Sequence, residues 1–209
     1  MKLLIVGATG LVGRHVLDFA LADQRVSEVV VITRRPMAAH PKLQVSLVDF
    51  DKLPEDAPWW QADAVICTLG ATMRTAGSRE AFRRVDYDYP LAVACLARQH
   101  GTPNYVLNSA IGANASSFFF YNRVKGELER DLTTIGFPSL TYVRPGVIGG
   151  HRDDFRLGER AMVIALSLLG PVLPLGWRLN PVDRIARSLL EAALDPRSGI
   201  NIVSSDHLI

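Results

Sequence analysis

The first turn of the chain reads Gly7-Ala8-Thr9-Gly10-Leu11-Val12-Gly13, between the apolar run Leu3–Val6 and a segment of helical period at Leu11–Asp23. The first glycine permits a tight turn, the second lets backbone approach a ligand, and the third lets the helix pack on the sheet. The start of a helix also favours an anion. The stretch predicts a pyrophosphate-binding loop, in which the contacting residues are Gly7, Thr9, Gly10, Leu11, Val12 and Gly13. A tight turn without a ligand is the alternative interpretation, because the spacing is GxxGxxG rather than GxGxxG.

Short apolar runs alternate with segments of helical period along the rest of the chain. Continuously apolar runs are typical of strands that are covered on both faces. They occur at Leu3–Val6, Val29–Ile32, Val45–Val48, Ala64–Cys67, Tyr105–Asn108, Leu140–Val143 and Ile200–Val203. Helices are predicted at Leu11–Asp23, Ser78–Gln99, Phe118–Ile135, Glu159–Leu169 and from Pro181 to Leu194, whereas Asp49–Trp60 is predicted to be mostly loop. This alternation predicts an α/β fold of the Rossmann type, with a doubly wound, mostly parallel sheet of about seven strands.

The pattern changes after Arg144, where glycines mark a loop. We therefore expect a single domain over residues 1–209, in which residues 145–209 contribute a small cap over the substrate side.

Composition excludes several classes of protein. Hydrophobic residues make up 48% of the 209 residues and the net charge is +2, which excludes a mainly disordered chain and gives no support to nucleic-acid binding. The apolar stretch Ala161–Trp177 is broken by glycines and prolines and is too short to span a membrane. Cys67 and Cys95 are interpreted as core residues, with no disulfide and no metal site. We therefore expect a cytoplasmic protein, unattached to membranes.

The end of the second predicted strand, Thr33-Arg34-Arg35, indicates which dinucleotide binds. A carboxylate at this position would bind the ribose hydroxyl of NAD, whereas arginine accommodates a 2′-phosphate. Arg34 and Arg35 therefore favour NADP(H) over NAD, with two solvated loop arginines as the alternative. Asp49 and Phe50 follow the third strand, where adenine would lie.

Tyr121 and Lys125 stand one turn apart on one face of a predicted helix. A neighbouring ammonium stabilises the tyrosinate form, as general acid–base chemistry requires. With five tyrosines and four lysines in the chain, chance gives about 0.1 such pairs. Ser109 follows the fifth strand, twelve residues earlier, and could hold a substrate carbonyl oxygen.

Several dispersed motifs carry a family resemblance, namely GATGLVG, TRR, VDF, CTLGAT, RVDYDYP, NSAIGA, YNRVKGE and RPGVIGG. With them the chain resembles the atypical short-chain dehydrogenase/reductase superfamily, and within it the Tat-interacting-protein oxidoreductases. The resemblance implies an NADP(H)-binding Rossmann fold with Ser109, Tyr121 and Lys125 in the catalytic positions. It also implies that Lys125 contacts the nicotinamide ribose, and that the cofactor is lined by Thr68, Leu69, Gly70, Pro145, Gly146 and Val147.

These observations predict an NADP(H)-dependent oxidoreductase that reduces a carbonyl, or oxidises an alcohol, on a small molecule. One alternative is a non-catalytic NADP(H)-binding regulator of a protein partner. Another is an enzyme like a sugar-nucleotide epimerase or dehydratase, which would use the same tyrosine. Arg144 could face an anionic substrate or belong to a charged loop.

Overall fold

The computed structural model describes residues 1–149 and 179–209. The strands of its main sheet are β1 (Lys2–Val6), β2 (Glu28–Thr33), β3 (Leu43–Leu47), β4 (Ala64–Cys67), β5 (Asn104–Asn108), β6 (Ser139–Arg144) and β9 (Gly199–Ser204). They lie in the order β3-β2-β1-β4-β5-β6-β9, and every pair is parallel. The seven-stranded Rossmann-type sheet predicted from the sequence is therefore confirmed. A separate pair is formed by β7 (Ile148–Gly149) and β8 (Asn180–Pro181).

The helices lie on both faces of this sheet. They are α1 (Leu11–Ala22), α2 (Met73–Ala76), α3 (Arg79–Arg83), α4 (Tyr89–Gln99), α5 (Phe120–Ile135) and α6 (Val182–Leu194), with 3₁₀ turns at Pro58–Trp60 and Ser205–Leu208. Alternate residues of each strand point to opposite faces. Leu3 and Ile5 accordingly pack with α1 and α6 in one core, and Leu4 and Val6 pack in a second core with α4 and α5.

The predicted helix at Ser78–Gln99 is not a uniform α-helix. Between α3 and α4 the segment Arg84–Asp88 forms a π-helical turn, which directs the side chain of Asp86 inward. Such turns insert one extra residue per hydrogen-bonded ring and are frequent at functional sites. The hydrophobic periodicity of the sequence does not reveal the π-helical turn, because the α-helical segments on either side of it keep the ordinary helical period.

The described residues of the predicted cap belong to the body of the fold. Residues 182–194 form α6, which packs in the core with α1, and β9 completes the main sheet. The cap over the substrate side stays a prediction, and the described part of its range, residues 179–209, contributes α6 and β9 to the main fold. The helix predicted at Glu159–Leu169 lies outside the described residues. No helix in the two described ranges combines the length and the hydropathy that crossing a membrane requires.

Cys95 corrects a second prediction. Cys67 is fully buried at the end of β4, as expected, but Cys95 lies exposed on α4. The helical period of its apolar neighbours placed Cys95 in the core, whereas its own position faces away from the sheet.

Candidate functional site

The glycine loop after β1 forms a cradle that no side chain could share. Gly7 has a φ of 88°, and a Cβ on it would lie 2.7 Å from the backbone N of Leu69. A Cβ on Gly13 would lie 2.2 Å from the carbonyl oxygen of Gly7. Gly10 precedes α1 with extended backbone and provides no side-chain cap. The first N–H groups of α1 therefore lack intrahelical partners, as a phosphate site at a helix start requires.

One face of α5 carries three polar side chains at four-residue intervals, Tyr121, Lys125 and Glu129. Successive members are one turn apart, so the three form a stripe about 12 Å long down the helix. Tyr121 is 40% exposed at the top of the stripe, whereas Lys125 and Glu129 are buried. The tyrosine ring packs against Phe82, with ring centroids 5.8 Å apart. The phenol is thus accessible to a ligand while the two charged side chains below it are not.

Lys125 forms a buried ion pair with Asp86. The ammonium Nζ lies 2.8 Å from the carboxylate Oδ1, and the two side chains are 4% and 1% exposed. The other carboxylate oxygen accepts a hydrogen bond of 2.7 Å from the backbone N–H of Ala71. Burial alone lowers the pKa of Lys125, but the neighbouring Asp86, Tyr121 and Cys67 outweigh it, so the pKa of Lys125 is raised. The ammonium form is therefore the stable one.

Ser109 contacts Glu129 in the lowest part of the stripe. Its hydroxyl donates a hydrogen bond of 2.5 Å to Oε1 of Glu129, and both residues are buried. The Arg144 guanidinium binds the same carboxylate through Nε and a terminal nitrogen. This contact with Glu129 raises the pKa of Arg144, so the guanidinium stays charged. The proton of the Ser109 hydroxyl is therefore engaged within the protein, and Arg144 is paired rather than free to meet an anionic substrate.

Arg34 and Arg35 follow β2 at the same edge of the sheet as the glycine loop, and both are exposed. Neither guanidinium forms an ion pair with any residue in the described parts of the chain. Asp49 is exposed after β3 and caps a turn by accepting the N–H of Asp51. Phe50 is buried against the ring of Tyr89, at a centroid distance of 5.4 Å.

Two further segments border the site. Thr68 donates its hydroxyl to the carbonyl of Val6, which joins the ends of β4 and β1. Leu69 and Gly70 follow it along the edge of the sheet. Pro145, Gly146 and Val147 follow β6, and the N–H of Gly146 donates to the side-chain oxygen of Asn180. The structure thus brings both predicted lining segments to the carboxyl edge that also carries the glycine loop.

Sequence reasoning missed three residues, Asp86, Glu129 and Asn180. Glu129 could have been found, because it continues the four-residue spacing of Tyr121 and Lys125 on a single helix face. Asp86 lies within the shared RVDYDYP motif, but no spacing rule connects it to Lys125. Asn180 directly precedes the helix predicted from Pro181, and no sequence pattern reveals its partners. Its side chain bonds Gly146 and Ser205, which joins the loop after β6 to the segment after β9.

A cavity of about 340 Å³ opens beside Arg144. Its lining residues are Ile111, Gly112, Arg144, Ile202, Ser204, Ser205 and Asp206. The cavity contains both a guanidinium and a carboxylate, and its remaining walls are apolar or hydroxylic. This lining suits an uncharged ligand better than a strongly anionic one.

Sequence comparison finds a family and relatives that match most of the chain. Residues 7–154 match the family described as NAD(P)H-binding. Protein HTATIP2 of Rattus norvegicus is 37% identical over 203 residues, which cover 93% of this chain and 82% of that protein. A protein of Aspergillus fumigatus named fmp52, mitochondrial, is 35% identical over 208 residues, which cover 93% of this chain and 88% of that protein.

Solved structures share the fold at low identity. MoeE5 in complex with UDP-glucose and NAD superposes with a TM-score of 0.73 at 17% identity, covering 97% of this chain and 75% of that one. The PhqB reductase domain from Penicillium fellutanum gives a TM-score of 0.71 at 20% identity, covering 97% and 66%. These likenesses extend the fold assignment to the whole sheet and its flanking helices.

Proposed function

Because this chain belongs to the NAD(P)H-binding family, we propose that it is an NADP(H)-dependent oxidoreductase that reduces a carbonyl, or oxidises the corresponding alcohol, on a small molecule. The observation that carries the proposal is the stripe on α5, in which an accessible tyrosine stands one turn above a buried lysine. Tyrosine supplies an acid–base group, and the lysine beside it supplies a fixed positive charge. Both lie at the sheet edge that also holds the glycine cradle.

The residues at this edge fit a dinucleotide in position and chemistry. The cradle at Gly7 and Gly13 leaves room for backbone-to-phosphate contact, and the uncapped start of α1 offers N–H donors. Arg34 and Arg35 present exposed guanidiniums, which match a 2′-phosphate better than a ribose hydroxyl. The Lys125 ammonium would bind ribose hydroxyls, and Thr68–Gly70 with Pro145–Val147 would border the nicotinamide half.

The reaction follows from the placement of Tyr121. A reduced nicotinamide bound at this edge would supply a hydride to the carbonyl carbon. Tyr121 donates its phenolic proton to the carbonyl oxygen, so that the carbonyl becomes an alcohol and a tyrosinate remains. Lys125 stabilises that tyrosinate by its charge until a proton from solvent restores the phenol. In the reverse direction the tyrosinate accepts the proton of the alcohol.

A second candidate is a regulator that binds NADP(H) and a protein partner without turnover. The bond from Ser109 to Glu129 favours it, because the hydroxyl expected to hold a substrate oxygen already has an acceptor. The two candidates share the cofactor site, but only the oxidoreductase needs Tyr121 for its activity. The cytoplasmic location expected from the sequence stays a prediction, since the fungal relative is named a mitochondrial protein.

Titration with NADPH, NADP⁺, NADH and NAD⁺ tests which dinucleotide binds. The shift in the thermal midpoint of unfolding reports binding in each titration. A ligand at 100 times its Kd stabilises the folded state by about 2.7 kcal/mol. We expect shifts with NADPH and NADP⁺ only, and loss of most of that preference in Arg34→Ala. Arg197→Ala is the control, because Arg197 is exposed and lies between α6 and β9, at the amino ends of the strands and away from the proposed site. Equal shifts with NADH would contradict the NADP(H) assignment, and no shift with any nucleotide would contradict the proposed function.

A further inference from the structure

The buried partner of Lys125 has a defined place between two walls of the cofactor site. Asp86 lies on the π-helical turn, and its carboxylate joins the Lys125 ammonium on α5 to the backbone N–H of Ala71. Ala71 directly follows Thr68–Gly70, the segment that borders the nicotinamide half. The carboxylate thus forms an ion pair with the lysine and a hydrogen bond with the residue that follows this segment.

The backbone of Gly70 lies directly over the ion pair. A Cβ on Gly70 would lie 3.4 Å from Oδ1 of Asp86 and 3.9 Å from Nζ of Lys125. Gly70 itself therefore places no side chain over the pair. A substitution of Asp86 will consequently alter the contacts of both the lysine and the lining segment.

The energetics of burial give Asp86 a role beyond filling space. An ammonium in the interior loses its hydration and is stable there only when a charge or several acceptors compensate it. The groups that face Lys125 are Asp86 from the π-helical turn, Tyr121 from its own helix and Cys67 from β4. Of these, Asp86 alone forms an ion pair with the ammonium among the described residues.

Taking the proposed cofactor site as its basis, we propose that Asp86 is a positioning residue that holds Lys125 as an ammonium at the nicotinamide ribose. It fixes the lysine against the segment after β4, so that the donors of the ammonium meet the ribose in a single geometry. Asp86 touches neither cofactor nor substrate in this role and acts through Lys125.

Ionisation of Lys125 can be followed without cofactor or turnover. The chain has four lysines, so the side-chain nitrogens of a ¹⁵N-lysine sample give few NMR signals, and loss of one in Lys125→Met assigns Lys125. In Asp86→Asn we expect the pKa of Lys125 to fall by at least about one pH unit, because the carboxylate charge no longer opposes the effect of burial. We also expect NADPH affinity to fall by about tenfold at pH 8.

Asp18→Asn removes the same charge from the exposed face of α1 and should change neither quantity. Asp86→Glu keeps the charge but moves it by one methylene, so it should retain Lys125 ionisation and still weaken NADPH binding. This variant also carries the test if Asp86→Asn fails to fold. Unchanged Lys125 ionisation in Asp86→Asn, or wild-type NADPH affinity in both variants, would overturn the proposal. Failure of the wild-type chain itself to bind NADPH would instead refute the proposed function, while the Lys125 titration would still report on the ion pair.

Discussion

At the scale of single residues, the three side chains of the stripe on α5 differ in how deeply they are buried. Tyr121 is accessible, Lys125 is buried beside Asp86, and Glu129 is buried between Ser109 and Arg144. Each buried charge has an opposite charge within contact distance, as burial of ionised groups requires. In the proposed reaction Tyr121 is accordingly the residue that exchanges a proton with the substrate, because it alone of the three is accessible.

Replacement of the accessible phenol should separate binding from turnover. Tyr121→Phe removes the proton donor but keeps the ring that packs on Phe82. We expect NADPH-dependent reduction of a carbonyl substrate, followed by absorbance at 340 nm, to fall by at least about 100-fold. NADPH affinity should be nearly unchanged. Tyr87→Phe, whose hydroxyl instead contacts Asp131, is the matched control. Full activity in Tyr121→Phe would contradict the role of this residue.

The buried serine at the foot of the stripe gives a stability prediction. Ser109→Ala removes one donor from the buried Glu129 carboxylate, so the free energy of unfolding should fall by about 1–3 kcal/mol. Turnover should fall less than in Tyr121→Phe, because the hydroxyl is engaged with Glu129. Ser139→Ala is the control, since the buried hydroxyl of Ser139 has no hydrogen-bond partner in the described ranges. Urea denaturation compares the free energies of unfolding of the two variants. If Ser109→Ala lost as much turnover as Tyr121→Phe, the result would indicate that Ser109 contacts the substrate directly.

At the scale of elements, ion pairs stabilise the connection from α1 to β2. Arg25 binds Asp23 just after α1 and Glu191 on α6, with the nearest nitrogen–oxygen distance 2.7 Å in each pair. The guanidinium thereby links two helices that share one core. Side-chain and backbone hydrogen bonds from Arg25 lower the pKa of Asp23 from 3.8 to about 2.

This carboxylate predicts a specific acid response. A lowered pKa in the folded state means that Asp23 contributes stability above about pH 4, which is lost as the pH falls through about 2. Asp23→Asn should therefore be less stable than wild type at pH 6, and the difference should vanish near pH 2. Urea midpoints at several pH values measure it, with Asp18→Asn as the control. A difference that does not change with pH would show that the ionisation of Asp23 contributes nothing.

At the scale of the whole molecule, one sheet separates two apolar cores, and α6 closes one of them. The last described segment is therefore part of the cooperative unit that carries the site. The outer strand β9 remains partly open to solvent, with Ile200 and Ile202 more than half exposed.

Two apolar substitutions in the last segment should accordingly differ. Leu189 on α6 is fully buried, so Leu189→Ala should lower the free energy of unfolding by about 2–5 kcal/mol. Ile202→Ala on β9 should change it by no more than about 0.5 kcal/mol. A single unfolding transition in both variants, followed by circular dichroism and by fluorescence, is expected. A separate early transition in Leu189→Ala would contradict a cooperative unit that includes α6.

Features that depend on neighbours along the chain could be predicted from the amino-acid sequence. The sheet, the glycine cradle and the Tyr121–Lys125 pair each follow from a local period or spacing, because strand and helix place nearby residues predictably. The partners of the buried charges could not be predicted in this way; they are Asp86 for Lys125, and Ser109 and Arg144 for Glu129. These contacts join different elements, and their choice depends on how the elements pack and on the cost of leaving a charge unpaired in the interior.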